Sequence, residues 1–532
     1  MEAAHLSEKQ FFGPRSLWIV ALFSLCVLGL AIRLFDLTDL PLDFHPTRQL
    51  LSALKARGMY YRSLTDIPQW RRDFAIREWK VRAQVEPEAL ERLVAGTYRL
   101  TGEGLWVARI YSSLSWVVGG LFLFFLVRDL LSTDAALAAV AIHLFLPYAV
   151  VASRSFQPDP LMVMLTIAFW WAVLHWARTI STENTIASHH GASRTSPPRG
   201  GSAIGWVWAI LAGIAGGLAI YIKFVAAFFV IGGGLGAVLG REPLRLTLRR
   251  PQLWAMLFLG ILPGAAYVIY GVWIAGFLGQ QFGGRFAPAL FLEPSYYLGW
   301  LNMLNLVIGP ALLMLALLGP FFFRSTAALR FALGTWIAYA LFGLYFNYHI
   351  STHDYYTLPL IPIAAISVAP LAAFGLNRLS TLAGARQMRL LALAIMGLGA
   401  LAMSLELRAR LAAVDYRPEA AMWVEIGQRL GPDARLVALT QDYGMRLTYW
   451  GWLAPTPWPS TGDVSYHALR GARRDFDDQF QRLTQNRQYF LVTDFRELDR
   501  QPDLKEILYS SYPALFESDA YVIFDLAGMR AD

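Results

Sequence analysis

The chain has 532 residues, 56% of them hydrophobic and only 16% charged, with a mean hydropathy of +0.41. A soluble globular protein carries about a quarter charged residues, which excludes a wholly soluble enzyme. The formal charge of +8 does not signal a nucleic-acid partner, because the excess arginine lies in short connectors between apolar blocks, where membrane topology places it.

Apolar blocks near twenty residues long cover a hydrocarbon core of about 30 Å. They predict spans at 17–37, 105–127, 133–150, 160–178, 205–221, 224–240, 253–278, 298–323, 330–347, 356–375 and 389–407. The first block is long and lacks a small-residue cleavage site, so it reads as a retained helix rather than a signal peptide. It contains the only cysteine, Cys26, which rules out an intrachain disulfide and a cysteine metal site. The pair 205–221 and 224–240 is glycine-rich and broken only by Lys223.

Between the spans, basic residues fall on alternate connectors. Lys9 and Arg15 come first, then Arg128, then Arg178, Arg194 and Arg199, then Arg241, Arg245, Arg249 and Arg250. Arg324 and Arg330 follow, and then Arg378, Arg386 and Arg389. The positive-inside rule assigns all of these to the cytoplasmic side. The opposite connectors, around 148–159, 222–224, 279–297 and 348–356, carry few. Segment 38–104 holds both signs, but loops of that length translocate largely regardless of charge. The expectation is a multi-pass plasma-membrane protein of about 11 helices, residues 1–407, embedded in the bilayer. Its N-terminus would be cytoplasmic and residues 408–532 would form an extracytoplasmic domain.

The long outer loop is patterned. Residues 86–99 set Leu90, Leu93, Val94, Thr97 and Tyr98 on one helical face. Residues 66–82 mix Trp70, Phe74 and Trp79 with Arg71, Arg72, Arg77, Lys80 and Arg82. Such a segment fits a helix lying in the bilayer interface, or one packed on the protein's own outer domain. Residues 181–204 are small, polar and proline-containing, which predicts a flexible cytoplasmic loop with His189 and His190 as solvated residues. Past Arg410, a helix at 418–430 and strands at 435–439, 488–493 and 520–525 predict a small α/β domain, doubly wound or mixed. No glycine-rich phosphate fingerprint follows any of these strands, so no nucleotide is assigned to it.

Ionisable groups near the ends of spans are functional candidates, and the topology places four such clusters on the outer face. Asp43, followed by His45 and Arg48, can serve as a general base or cap a helix. Arg48 can meet a phosphate or balance the carboxylate. Asp159, between two prolines, fits a helix start or a site, with Arg154 nearby to pair with it or with an anion. Lys223 can snorkel to the interface or neutralise a phosphate. His349, His353, Asp354, Tyr355 and Tyr356 form the densest polar cluster outside the C-terminal domain. The two histidines stand at a zinc-compatible spacing if the stretch is helical, yet the mixed set suits hydrogen bonding to a phosphate or sugar better. No Walker A loop and no GxSxG elbow occur.

These features, in this order, resemble the C-type glycosyltransferase superfamily and, within it, glycosyltransferase family 39. That family holds the protein O-mannosyltransferases and the lipid A aminoarabinose transferases. The resemblance covers most of residues 17–375. It rests on the acidic motif after the first span, the long outer loop, Leu-Trp-Val-Ala-Arg at 105–109, Pro-Asp-Pro at 158–160 and His-Asp-Tyr-Tyr at 353–356. It implies transfer of a sugar from a polyprenyl-phosphate carrier to an acceptor on the outer face, with inversion at the anomeric carbon. By position, Asp43 would be the base, and Asp159 would orient the acceptor or hold a divalent metal ion if one is used. Arg48, Lys223, His349 and His353 would meet the carrier phosphate. The family often shows two adjacent acidic residues where this chain has Asp-Phe-His, which leaves His45 as a second participant. A lipid-linked sugar flippase, which moves its cargo without breaking a bond, is the alternative. It would line a midplane path with polar groups, whereas here they gather at one side.

Overall fold

The structure is a computed structural model that describes residues 10–189, 201–239, 241, 243–279, 286–382, 386–469 and 475–528. Lys9, His190, Arg194 and Arg199 lie outside the described residues. The chain forms two compact units. One comprises residues 1–37, 83–90 and 108–413, and the other residues 38–82, 91–107 and 414–532.

The first unit is helical. All eleven predicted spans fall on helices, and among the described residues eight helices are long and apolar enough to cross a bilayer. Thr133–Phe145 and Ala226–Leu239 are shorter apolar helices, and Arg386–Leu411 covers the last expected span. The third expected span ends early because Leu146 precedes Pro147 and adopts extended backbone, as the proline ring demands of its neighbour. A separate short helix, Pro147–Ala152, follows. The expected loop at 181–204 starts later than predicted, since the helix that opens at Asp159 runs on to His189. Glu183 in this extension accepts the Ser202 N–H at 2.8 Å and pairs with buried Arg250 at 2.9 Å. Those contacts hold a polar stretch helical that its own composition would leave open.

The glycine-rich pair is explained by close packing. A Cβ on Gly217 would lie 2.3 Å from the Leu259 carbonyl oxygen, and one on Gly213 2.9 Å from the Met256 oxygen. Four-residue spacing of small residues lets helix backbones approach in this way where no hydrophobic drive separates lipid from protein. Gly217→Val is therefore expected to cost roughly 1–3 kcal/mol by overpacking, seen as a lower melting temperature. An unchanged value would show that the two helices can part cheaply.

The second unit contains the helices Pro46–Tyr61 and Gln69–Val81 and a five-stranded mixed sheet. The strands are β1 (Leu436–Leu439), β2 (Thr456–Pro457), β3 (Tyr489–Val492), β4 (Ala514–Glu517) and β5 (Val522–Asp525), in the order β2-β1-β3-β5-β4. β1 runs parallel to β2 and β3, whereas β5 is antiparallel to β3 and β4. Alternation sorts the side chains into two cores. Val437, Leu439, Phe490 and Phe524 pack on one face, and Leu436, Ala438, Leu491 and Ile523 on the other. Residues 456–457 and 514–517 were not expected as strands, because the first is too short and the second too exposed to show an apolar run.

In helix Ala89–Thr101 the buried face is Leu90, Val94, Ala95 and Tyr98, while Leu93 stays 48% exposed. In helix Gln69–Val81, Phe74 and Trp79 are buried and Trp70 is exposed.

Candidate active site

In the first unit, Asp159 opens its helix, with proline on either side. Lys223 stands in extended backbone between the helices Ala203–Ile222 and Ala226–Leu239. The packing of these helices brings the two side chains together. Lys223 Nζ donates to Asp159 Oδ1 at 2.8 Å and to Oδ2 at 3.0 Å, with both groups buried. Lys223 therefore does not snorkel. Its ammonium lies 5.1 Å from the Tyr355 ring centroid and 5.3 Å from that of Tyr356, within cation–π range. An ammonium has three N–H donors, so one is left without a hydrogen-bond acceptor among the described residues.

Around this pair stand groups of mixed polarity. Asp354, Tyr355 and Tyr356 form a tight turn, Asp354–Thr357, and the Tyr148 hydroxyl faces the carboxylates of Asp354 and Asp159. The His349 ring is 5.1 Å from Tyr356 and 5.6 Å from His353, and His353 is 5.6 Å from Tyr355. The helix Asn347–Thr352 ends before His353, whose backbone is extended, so the two histidines do not share a helical face. Among the described residues no three His, Cys, Asp or Glu side chains converge as metal ligands. Because Lys223 engages both oxygens of Asp159, that carboxylate is already neutralised. The donor set does not fit a divalent ion.

Arg154 meets the C-terminal end of helix Arg15–Leu34. Its guanidinium donates to the carbonyls of Phe35 and Asp36, each at 2.9 Å, rather than to Asp159. Arg33 donates to Ser153 Oγ at 2.6 Å and Arg109 to the Asp36 carbonyl at 3.4 Å. Cations at the C-terminal end of helix Arg15–Leu34 satisfy orphan carbonyls and complement the helix dipole. Gln157, which the sequence did not single out, is 1% exposed with neither side-chain nitrogen nor oxygen partnered among the described residues. Such a group in a native fold calls for an explanation.

The second unit holds Asp43, His45 and Arg48, all half-buried at the start of helix Pro46–Tyr61. His45 has left-handed backbone at φ 42°, a region that histidine enters more readily than most residues other than glycine. Gln49 ties the loop down by donating to the carbonyls of Pro41 and Phe44. Thr47 Oγ1 donates to Asp442 Oδ1 at 2.8 Å. Asp442 and Tyr443 are also left-handed, at φ 55° and 56°, and Arg446 braces the turn by binding Asp442 and Glu419. The Tyr416 hydroxyl is pushed above the ordinary tyrosine value by burial and then by the Asp43 carboxylate, so the phenol and Asp43 are neighbours. Neither Tyr416 nor Asp442 was legible in the sequence, since each lies several hundred residues from Asp43.

Residues 87–188 match the family model described as Dolichyl-phosphate-mannose-protein mannosyltransferase. No curated protein matches the sequence. Among solved structures, the chain is similar to ArnT from Cupriavidus metallidurans bound to undecaprenyl phosphate, with 18% identity and a TM-score of 0.54. That match covers 96% of this chain and 98% of the other. The apo state of the same protein matches at 17% identity and a TM-score of 0.55, with the same coverage. The archaeal oligosaccharyltransferase AglB from Archaeoglobus fulgidus, in complex with an inhibitory peptide and a dolichol-phosphate, matches at 13% identity and a TM-score of 0.52. There the match covers 94% of this chain and 74% of the other.

The chain shares the fold of these ArnT and AglB structures. Within this fold, the segment matched by the family model contains Arg109, Tyr148, Arg154, Gln157 and Asp159. It therefore carries one half of the buried ion pair.

Proposed function

We propose that the protein is a multi-pass membrane glycosyltransferase, taking a sugar from a polyprenyl-phosphate carrier to an acceptor on the extracytoplasmic face. The observation that carries this reading is the buried pair of Asp159 and Lys223, edged by two tyrosines, within a C-type glycosyltransferase fold. In an inverting displacement, the acceptor oxygen attacks the anomeric carbon while the carbon–oxygen bond to the carrier phosphate breaks. The electron pair leaves on the phosphate. Lys223, paired with Asp159, offers its remaining N–H to that phosphate, an electrostatic contribution worth a few kcal/mol in a water-poor site. Asp43 takes the acceptor proton, with His45 as a second participant and Arg48 as counter-charge. His349, His353, Asp354, Tyr355 and Tyr356 supply hydrogen bonds and ring faces to sugar and phosphate. The basic connectors support a cytoplasmic N-terminus, with residues 408–532 outside.

The test is release of polyprenyl phosphate from radiolabelled polyprenyl-phosphate hexoses and pentoses by the reconstituted protein, with membrane extract as acceptor source. Asp43→Asn is expected to slow release by about 10²–10⁴-fold, the range for loss of a general base. Equal release from the variant would remove Asp43 from the mechanism. Movement of intact lipid-linked sugar without release would point to a flippase instead.

Gln157 offers a further check. An unsatisfied buried amide costs about 1–3 kcal/mol, so Gln157→Leu is expected to keep or raise the melting temperature. If the amide binds the sugar or the carrier, the same variant shows a raised KM; an unchanged KM would leave it a structural residue.

A further inference from the structure

The second unit contains a pocket of about 310 Å³, lined by Trp70, Arg71, Val424, Gln428, Trp450 and Trp452 among others. It is assembled from the outer-loop helix Gln69–Val81, helix Arg417–Leu430 and the turn after helix Met445–Trp450. A volume near 300 Å³ is the lower end of the range for small-molecule sites and suits one or two sugar rings. Three further observations specify the ligand.

Trp452 is presented under strain. Its φ is 55°, a conformation that bulky side chains rarely adopt and that persists only where surrounding contacts over-determine it. The rings of Tyr61, Trp70 and Phe74 lie 5.6, 5.9 and 5.7 Å from it and supply that constraint. The pocket is also rimmed by unused donors. The indole N–H groups of Trp70, Trp450 and Trp452 and the amide of Gln428 have no hydrogen-bond partner among the described residues. Flat aromatic faces with donors at their edges match a sugar ring, whose C–H face stacks while its hydroxyls accept.

Arg71 adds a charge. Its guanidinium rests 5.2 Å from the Trp70 ring and 5.3 Å from Trp452, with no carboxylate partner among the described residues. Arg57, 4.7 Å from the same Trp452 ring, is neutralised by Glu103 at 2.7 Å. Arg446 is likewise neutralised by Asp442 and Glu419. A charge left over beside two indoles that meet edge to face calls for an anion from the ligand.

We propose that this pocket binds a saccharide ring bearing an anionic group, carboxylate or phosphate, through the Trp70 and Trp452 faces and Arg71. This goes beyond the transfer reaction and does not depend on it, since binding is read without turnover. The source of the ring, a soluble glycan or the headgroup of a glycolipid, is left to the test.

The test uses the full-length protein in phosphatidylcholine nanodiscs, with ligand binding followed by tryptophan fluorescence and saturation-transfer NMR. Glucuronate and glucose 6-phosphate are expected to bind saturably, and glucose about tenfold more weakly for want of the charge-assisted contact. Trp70→Ala should weaken all three, and Arg71→Gln should erase the preference for charge. Both positions are exposed, so Arg71→Gln should leave the melting temperature unmoved, whereas Trp70→Ala also removes one ring packed on Trp452 and should lower it slightly. Competition by nanodiscs containing glucuronosyl diacylglycerol would support the site and assign it to a headgroup, whereas competition by soluble oligouronide alone would support it and assign it to a glycan. The proposal is overturned by absence of saturable sugar binding, or by binding that neither variant alters. It is equally overturned if inorganic phosphate binds as tightly as glucose 6-phosphate, or if only phosphatidylglycerol discs engage Arg71, which would mark a lipid anchor.

Discussion

Lys223→Met is expected to destabilise the first unit by about 3–5 kcal/mol, the usual cost of leaving one member of a buried ion pair uncompensated. The variant keeps the side chain's length and apolar stem, so the loss reports the charge and its two hydrogen bonds. Asp159 sits at a helix start, where the dipole favours a carboxylate by at most about 2 kcal/mol. That is smaller than the loss and cannot rescue it. The double variant Lys223→Met with Asp159→Leu removes both charges and is expected to recover most of the stability, because well-packed apolar residues often replace a buried pair at no cost. Thermal unfolding of the detergent-solubilised variants decides the matter, and a single variant as stable as the parent would mean that water reaches the pair. Activity separates the two roles of the pair. The double variant should fold and yet fail to release polyprenyl phosphate, since nothing is left to meet the leaving group.

The second large effect is expected at Arg57, the centre of a buried network in the second unit. Arg57 Nε donates to Glu103 at 2.7 Å and its Nη1 to the Tyr449 carbonyl, while the Tyr449 hydroxyl donates to Glu103 at 2.6 Å. The guanidinium also lies 3.5 Å from the Tyr449 ring centroid. Burial alone would lower the Arg57 value, but Glu103 and the Tyr449 phenol outweigh it and hold the arginine above its ordinary range. Arg57→Met strands Glu103 and should cost about 3–5 kcal/mol, visible as early loss of the second unit in limited proteolysis. A proteolysis pattern identical to the parent's would show that the network contributes little. The same network gives a pH signature. Burial, then Glu103, raises Tyr449 well above its reference value of 10.0, so the folded chain holds this proton longer than the unfolded one. That stability is fully present below pH 10 and is lost as pH rises further.

Fold class was legible because hydrophobic length and charge placement are properties of the local chain. Each predicted span needed only a window of about twenty residues, and short continuous apolar runs revealed β1, β3 and β5 in the same way. The misreadings share one cause. Residues 181–189 are helical because Glu183 meets Arg250, 67 positions away, and no local window contains that contact. Strand β2 exists through pairing with β1 alone.

The candidate site follows the same division. Asp43, Asp159, Lys223, His349, His353, Asp354, Tyr355 and Tyr356 were legible as ionisable or polar groups at the ends of apolar helices, where desolvation makes such residues costly to keep. Arg154 was legible as a cation, but its partners, the Phe35 and Asp36 carbonyls, were not. Gln157 gave no signal because an amide beside a proline looks like any loop residue until its burial is known.

The sequence by itself determined a polytopic membrane protein, its helical segments, the α/β character of its C-terminal part and the inventory of polar groups. Tertiary structure decided which of those groups meet. Lys223 finds Asp159 across 64 residues and Asp442 finds Thr47 across 395, because closure over such distances is set by helix and strand packing rather than by neighbouring residues. Burial then gives those meetings their energy, since a charge removed from water must either find its counter-charge or destabilise the fold.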